Sequence, residues 1–217
     1  MQALTRLQHW LEGVYEIRID HDVADFVITN PDLAQQLHGS AGRADCPEKL
    51  LVREVQDELN VSLYLAPEIV GHLARVSDSR PRADGRAFCL AIEGVSHFLY
   101  LAWRAGFDRT LTQMELELQA EVDKFVGMMT LPEEPLDVAG CARLRAWLFD
   151  AVRFAPGLAA EELARYQKAN FYAALYCRQL EQRYLRCRDN VGLTRELRRF
   201  YRQDQRGKID MIDSAVR

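Results

Sequence analysis

The sequence predicts an α+β fold, in which N-terminal antiparallel β-hairpins with short helices pack against a mainly helical C-terminal part. Apolar and polar residues alternate early in the chain, most regularly over residues 59–65. After residue 87 the apolar residues recur every three or four positions, the period of an amphipathic helix. Strands that come early and helices that come late favour a sheet packed against a bundle over a repeated βαβ unit.

The N-terminal portion is predicted over residues 1–80 and begins with a short helix over 3–11. Residues 14–19 alternate between apolar and charged side chains, and residues 23–29 are rich in β-forming residues. These two segments predict a first hairpin, with Asp20, His21 and Asp22 at its turn. Clustered carboxylates and a histidine could also hold a divalent cation, but Asp is common in turns for local hydrogen-bonding reasons.

A second hairpin is predicted further along the same portion. Asn30 and Pro31 suit the start of a helix, because Asn is a favoured N-cap and Pro fits the first helical position. Residues 49–55 and 59–65 then predict two paired strands. A helix is expected from Pro67 to about residue 76, and residues 77–86 have the composition of an exposed loop.

The helical portion is predicted over residues 87–205 and is followed by a tail over 206–217. Thr110 is a candidate N-cap for a long helix, and the two portions could share one core. The helices are expected over residues 95–105, 110–129, 138–154, 161–188 and 193–205.

Composition is that of a globular protein, with 48% hydrophobic and 28% charged residues. No apolar run approaches the roughly 18 residues that span a bilayer, and the first residues lack the apolar core of a signal peptide. We therefore expect a cytoplasmic protein with no membrane contact. The five cysteines form no Cys-x-x-Cys pair, so we interpret them as small buried apolar side chains.

Charge is divided unevenly along the chain. Residues 141–217 contain 16 basic and 9 acidic residues, whereas residues 1–140 contain 12 basic and 23 acidic residues. The two parts therefore carry net charges of +7 and −11. Such an asymmetry indicates either a charged partner or contact between the two parts of the fold. Glycine-rich phosphate-binding motifs and the Gly-x-Ser-x-Gly motif are missing from the sequence, which argues against an ATPase, a dehydrogenase or a serine hydrolase.

Two polar stripes run along otherwise apolar helical segments. If the two helices form an antiparallel pair, joined by a turn at residues 106–109, the stripes could face each other, and the sequence leaves this open. The first stripe contains Glu93, His97, Tyr100 and Arg104, and the second contains Glu117, Glu121 and Lys124.

These stripes allow two interpretations. Histidine and glutamates on facing helices are the ligands of carboxylate-rich metal sites and also serve in acid–base catalysis. The same residues could form a salt-bridge network that only fixes the orientation of the helices, with Arg104 reaching Glu117. No cofactor is predicted outright, and a divalent metal is the alternative. The candidate catalytic residues are Glu93, His97, Glu117 and Glu121, and the candidate metal ligands are Glu93, His97 and Glu121.

A basic, aromatic stretch near the C-terminal end is the candidate binding surface. Arginine and tyrosine are enriched where protein interfaces hold most of their energy. A nucleic-acid surface and a solvated helix face are the other interpretations, although the pI of about 5.8 argues against the first. The candidate binding residues are Arg178, Arg183, Tyr184, Arg186, Arg195, Arg198, Arg199, Tyr201 and Arg202.

The sequence thus predicts a cytoplasmic interaction protein, an adaptor or accessory subunit of a larger assembly. Its partner would be a protein, or a second copy through self-association, bound by the arginine-rich surface. The alternative is a metal-dependent or acid–base enzyme that uses the glutamate and histidine stripe. A nucleic-acid-binding protein is the third interpretation.

Overall fold

Helices dominate the structure, and a small sheet lies in its N-terminal part, so the α+β fold class is confirmed. The computed structural model describes residues 1–38, 46–56, 58–75, 85–107, 109–132 and 136–215. The elements in these ranges are α1 Gln2–Tyr15, β1 Val27–Ile28, α2 Pro31–His38, β2 Glu48–Val55, β3 Glu58–Leu65, α3 Pro67–Arg75, α4 Gly85–Ala105, α5 Gln113–Thr130, α6 Val138–Arg145, α7 Ala160–Leu180, α8 Asn190–Tyr201 and α9 Gln205–Ser214.

The sheet has the strand order β1-β3-β2. Strands β2 and β3 are antiparallel, with Glu48 opposite Leu65, so the second predicted hairpin is confirmed. Strand β1 is short and pairs parallel to β3, with Val27 opposite Leu63. Leu63 and Leu65 are fully buried, which fixes the register by directing the apolar residues of β3 into the core.

The first predicted hairpin is wrong. Residues 14–19 do not form a strand, because α1 continues to Tyr15. The buried residues Leu4, Leu7, Leu11 and Tyr15 are spaced by three or four positions and therefore share one helical face. Residues 23–26 form a 3₁₀ helix, whose first turn is capped by the Asp22 side chain accepting from the Ala24 N–H at 2.9 Å. The free energy gained by burying this helical face outweighs the preference of the short alternating pattern for a strand.

Helices α4 and α5 form an antiparallel pair at the centre of the bundle, and α7 packs against α5. Residues 87–92, which suit either a strand or a helix by sequence, belong to α4. The N-cap of α5 is Thr112, two residues after the predicted Thr110, and its side chain accepts from the Glu115 N–H at 3.1 Å.

The later helices are shorter than predicted. The helix predicted over 138–154 changes at Ala146–Asp150 into a π-helical turn, and the helix predicted over 161–188 changes in the same way at Glu181–Leu185. Each π-helical turn holds an extra residue and rotates the following side chains. Residues 205–214 form α9 rather than an extended tail, with Lys208 and Ile212 buried.

One hydrophobic cluster includes residues from both predicted portions of the chain, among them Tyr15, Leu63, Phe98, Phe125 and Tyr201. The predicted loop over 77–86 lies outside the described residues, except for residues 85 and 86, which begin α4. Within the described ranges, no helix combines the length and apolar composition that crossing a bilayer requires.

Candidate metal centre

The two polar stripes face each other, which the sequence had left open. The contacts come from opposite helices: Lys124 Nζ on α5 donates to Glu93 Oε2 on α4 at 3.0 Å. Lys124 also donates to Glu121 Oε1 at 2.8 Å, one turn away on its own helix. Further along the pair, His97 Nε2 lies 3.7 Å from Glu117 Oε2.

His97 is held from the other side by a residue that the stripes do not contain. Its Nδ1 lies 3.3 Å from Oε1 of Glu48, the first residue of β2. A carboxylate only accepts hydrogen bonds, so Nδ1 carries a proton and donates it. Gly94 on α4 permits this approach, because a side chain there would place its Cβ only 3.2 Å from Glu48 Cγ.

The second ring nitrogen of His97 is buried without a hydrogen bond among the described residues. The side chain is only 9% exposed, and the 3.7 Å separation from Glu117 is too long for a hydrogen bond. A buried polar atom in this state costs free energy unless a ligand or water satisfies it.

His97 lies close to two carboxylates on the paired helices. Ligand atoms of Glu93, His97 and Glu117 all lie within 4.8 Å of one another. A histidine that ligates a metal usually has one ring nitrogen held by a carboxylate and the other nitrogen free for the ion. Glu48 therefore has the position of the orienting carboxylate, and the other three have the positions of ligands.

Carboxylates outnumber cations in the cluster. Among the described residues, the ion pairs of Glu48, Glu93, Glu117 and Glu121 are formed with two side chains, His97 and Lys124. Burial raises the pKa of Glu48 and of Glu121 despite these cations. Burial acts in the same direction on Glu93, but the charges of Lys124 and His97 outweigh it and lower the pKa of that carboxyl.

The pKa values of the two cationic groups are raised against the effect of burial. Burial alone would lower the pKa of His97, but Glu48 and Glu117 raise it well above its usual value. Glu121 and Glu93 raise the pKa of Lys124 in the same way. The surplus of carboxylates thus stabilises positive charge at this place in the bundle.

The remaining stripe residues belong to a different contact. Arg104 Nη2 pairs with Glu115 at 3.2 Å rather than with the predicted Glu117. The Tyr100 hydroxyl donates to the same Glu115 at 2.6 Å. Residues seven and eleven positions after Glu93 lie about two and three turns further along the same side of α4, so they meet the beginning of the antiparallel α5, where Glu115 lies.

A second buried polar cluster lies beside Glu115. Asp123 accepts from Tyr15 and from Ser96, the latter at 2.6 Å, and burial raises its pKa to about 6. Lys208 on α9 is fully buried and donates to Gln119. Its Nζ lies 4.4 Å from the ring centre of Phe200 and 4.7 Å from that of Tyr100, and burial lowers its pKa to about 7. This cluster ties α9 to the bundle.

Some residues of the predicted binding surface are exposed, and the others make contacts within the chain. Arg178, Arg183 and Arg195 are exposed and form no ion pair with any described carboxylate. Arg186 and Arg199 are exposed as well, at 3.5 Å from Glu181 and 4.0 Å from Glu196 respectively.

The other members of that surface have intramolecular roles. Arg198 Nε donates to the Val14 carbonyl at 3.1 Å, and Arg202 Nη1 donates to the Tyr15 carbonyl at 3.1 Å. Tyr201 is buried and stacks on Tyr15 with ring centres 4.0 Å apart. Tyr184 is half-buried and packs against the core.

The other acidic candidate, at residues 20–25, forms a local cap. Asp22 caps the 3₁₀ helix and accepts from the Thr5 hydroxyl at 3.0 Å. Among the described residues, the side chains close enough to hold a metal ion together are Glu93, His97 and Glu117. None of these aspartates belongs to that group.

Glu48 is the site residue that the sequence does not reveal. It lies 49 positions from His97 and on a strand, so no local spacing connects the two. No protein-family model, curated protein or solved structure matches the chain. The function is therefore argued from the geometry alone.

Proposed function

We propose that this protein is a metal-dependent enzyme that holds a divalent cation between Glu93, His97 and Glu117. The observation that carries the proposal is His97 Nε2: it is buried, has no hydrogen bond among the described residues and lies 3.7 Å from Glu117, while Glu48 holds Nδ1. The surplus of carboxylates around it supports the same conclusion, because a cation offsets their buried charge.

The donor set indicates the kind of ion. One imidazole and two carboxylates suit zinc, manganese or iron, whereas magnesium and calcium sites use oxygen donors. Three protein ligands leave coordination positions for water or substrate, as in catalytic zinc sites. A bound water of this kind is acidified to a pKa near 7, so the reaction class would be hydrolysis, hydration or proton transfer.

The experiment is a metal titration of purified protein that has been stripped with a chelator. We expect the wild type to take up one equivalent of Zn²⁺ or Mn²⁺ per chain, and His97→Ala and Glu117→Gln to lose at least ten-fold in affinity. The histidine control is His9→Ala, because His9 is exposed on α1 and far from the cluster in sequence. Circular dichroism checks that each variant folds.

Two outcomes would overturn the metal proposal. One is a wild-type chain that binds none of the three transition-metal ions at micromolar concentration. The other is a folded His97→Ala variant with unchanged affinity. Either result would leave the cluster as a salt-bridge network that orients α4 against α5.

A second function is supported by the unpaired arginines Arg178, Arg183 and Arg195: binding of an acidic protein as an adaptor or accessory subunit. Arg195 also lines an open groove of about 600 Å³ beside the exposed Val191. All five cysteines are free, which suits a reducing compartment such as the cytoplasm.

The test of this second function is native purification with and without nuclease, which separates a protein partner from nucleic acid. Arg183→Glu with Arg195→Glu should release an acidic protein partner while the fold is unchanged, because both side chains are exposed and neither has an ion pair with a described carboxylate. A partner that stays bound to this double variant would contradict the assignment of the surface. Analytical ultracentrifugation reports self-association.

A further inference from the structure

We infer that the Lys124 ammonium occupies the position of a second cation in the acidic cluster and so limits the centre to one metal ion. The inference rests on the proposed function, since it concerns how many ions the same cluster holds. It assigns to Lys124 a role in setting the stoichiometry of the site, in addition to its salt bridges.

The geometry around Lys124 is that of an ion between two carboxylates. Its Nζ lies 3.0 Å from Glu93 Oε2 and 2.8 Å from Glu121 Oε1, and the side chain is only 12% exposed. Both distances are those of strong charge-assisted hydrogen bonds. The ammonium is therefore held in place rather than mobile in solvent.

Glu93 connects the two positions. One of its oxygens accepts from Lys124, and the residue also contributes to the group formed with His97 and Glu117. In centres with two metal ions, about 3.5–4 Å apart, a shared carboxylate commonly joins the ions. Here the same carboxylate joins the candidate metal position to an ammonium group.

The surroundings of Lys124 would suit a metal ion if the ammonium were removed. Glu93 and Glu121 approach it from the two helices, and the buried Cys89 lies one turn before Glu93, near enough to interact electrostatically with Lys124. Paired carboxylates on facing helices of a bundle are the donors that bind two ions in di-metal proteins. A chain without the ammonium would hold like charges at this place, which a second divalent cation relieves.

The test is the number of Mn²⁺ ions bound per full-length chain, measured by elemental analysis after desalting and by calorimetric titration. We expect one ion for the wild type and two for Lys124→Met. Adding Glu121→Gln to Lys124→Met removes a donor of the second position, so the double variant should return to one ion. Lys168→Met is the matched control, because Lys168 is exposed on α7, and it should bind one ion.

The outcomes separate this inference from the proposed function. A wild-type chain that binds no Mn²⁺, Zn²⁺ or Fe²⁺ overturns the proposed function and the inference with it. A wild type and a Lys124→Met variant that both bind one ion overturn the inference alone.

Removal of the ammonium could also unfold the apo chain, since it leaves buried carboxylates unpaired. In that case refolding is followed by circular dichroism during addition of Mn²⁺. Refolding with two ions bound supports the inference. A Lys124→Met chain that stays unfolded in excess Mn²⁺, or refolds with a single ion, overturns it.

Discussion

Two buried titratable side chains, His97 and Lys208, lie in opposite surroundings. Carboxylates from β2 and α5 face His97 and raise its pKa. Aromatic rings and one amide oxygen surround Lys208, and burial lowers its pKa to about 7. At His97, neighbouring carboxylates outweigh the cost of burying a charge. At Lys208, the cost of burial is the larger effect.

Lys208 should make the folded protein more stable at pH 9 than at pH 7. The pKa of this group is about 7 in the folded chain, against an ordinary value of 10.5, so the unfolded chain binds more protons across this range. Compared with Lys208→Met, the free energy of unfolding of the wild type should rise by about 2 kcal/mol from pH 7 to pH 9. Urea unfolding at pH 7, 8 and 9 measures this rise.

Lys168→Met is the control for this pH series, because the exposed Lys168 should leave the wild-type rise unchanged. Equal pH dependence in the wild type and Lys208→Met would show that Lys208 titrates in the folded protein as it does in water.

At the residue scale, helical spacing placed Glu93 and His97 on one stripe and Glu117 on the other, but it left open whether the two stripes meet. It also made Glu121 the third candidate metal ligand, whereas among the described residues Glu117 is grouped with Glu93 and His97. Three or four positions along a helix define a face, and the sequence shows these spacings directly. Glu48 could not be predicted, because it reaches His97 from a strand and through a gap at Gly94 that only the packed structure reveals. Lys208 looks like a surface residue in sequence, since its aromatic surroundings come from α4 and α8.

Helices α1 and α8 are joined at the C-terminal end of α1. Glu16, which follows the last residue of α1, has the left-handed conformation with φ of 52°. The last carbonyls of α1 accept from Arg198 on α8 and from Arg202, which directly follows α8, and Arg198 also pairs with Glu16 at 2.9 Å. Positive charge at a helix C-terminus stabilises both the open carbonyls and the helix dipole.

Replacing both arginines should therefore destabilise the fold. Arg198→Ala with Arg202→Ala removes charge-assisted hydrogen bonds to α1, and we expect the free energy of unfolding to fall by about 1–3 kcal/mol in urea titrations. The matched control is Arg183→Ala with Arg195→Ala, which should change it by no more than about 0.5 kcal/mol because both side chains are exposed and unpaired. Equal losses in the two double variants would contradict this role of α8.

At the element scale, the elements with long, regular patterns were predicted and the irregular ones were not. The β2–β3 hairpin and α5 have sustained periods, so their existence was clear from sequence. Residues 14–19 were misassigned because six residues can satisfy a strand pattern while Tyr15 completes a helical face. The π-helical turns depend on one extra residue per turn and have no comparable pattern.

The whole molecule shares one hydrophobic cluster that contains Tyr15, Leu63, Phe98 and Tyr201. The acidic and basic parts of the chain also meet within the fold, at the pair formed by Glu16 and Arg198. Part of the charge asymmetry seen in the sequence is therefore neutralised by ion pairs within the fold. The exposed arginines account for the rest. The sequence predicted the order of sheet and helices but left open whether the two portions share a core, since that depends on long-range packing.

We expect the protein to unfold in a single cooperative transition. Because the cluster joins α1, the sheet, α4 and α8, no group of elements retains its buried surface when another is lost. Far-ultraviolet circular dichroism and tryptophan fluorescence should give coincident urea curves, and a fragment of residues 1–80 should not fold alone. Separate transitions for the two probes would contradict this.

The contact between α1 and α8 also constrains how the chain can fold as it is made. Arg198 and its acceptor at Val14 are 184 positions apart. At a synthesis rate of about 5–20 residues per second, that separation corresponds to roughly 10–40 seconds on the ribosome. During this interval the apolar face of α1 has no α8 to pack against. Helix α1 is therefore synthesised long before its packing against α8 can be completed, and the surface that α8 covers stays exposed during this interval.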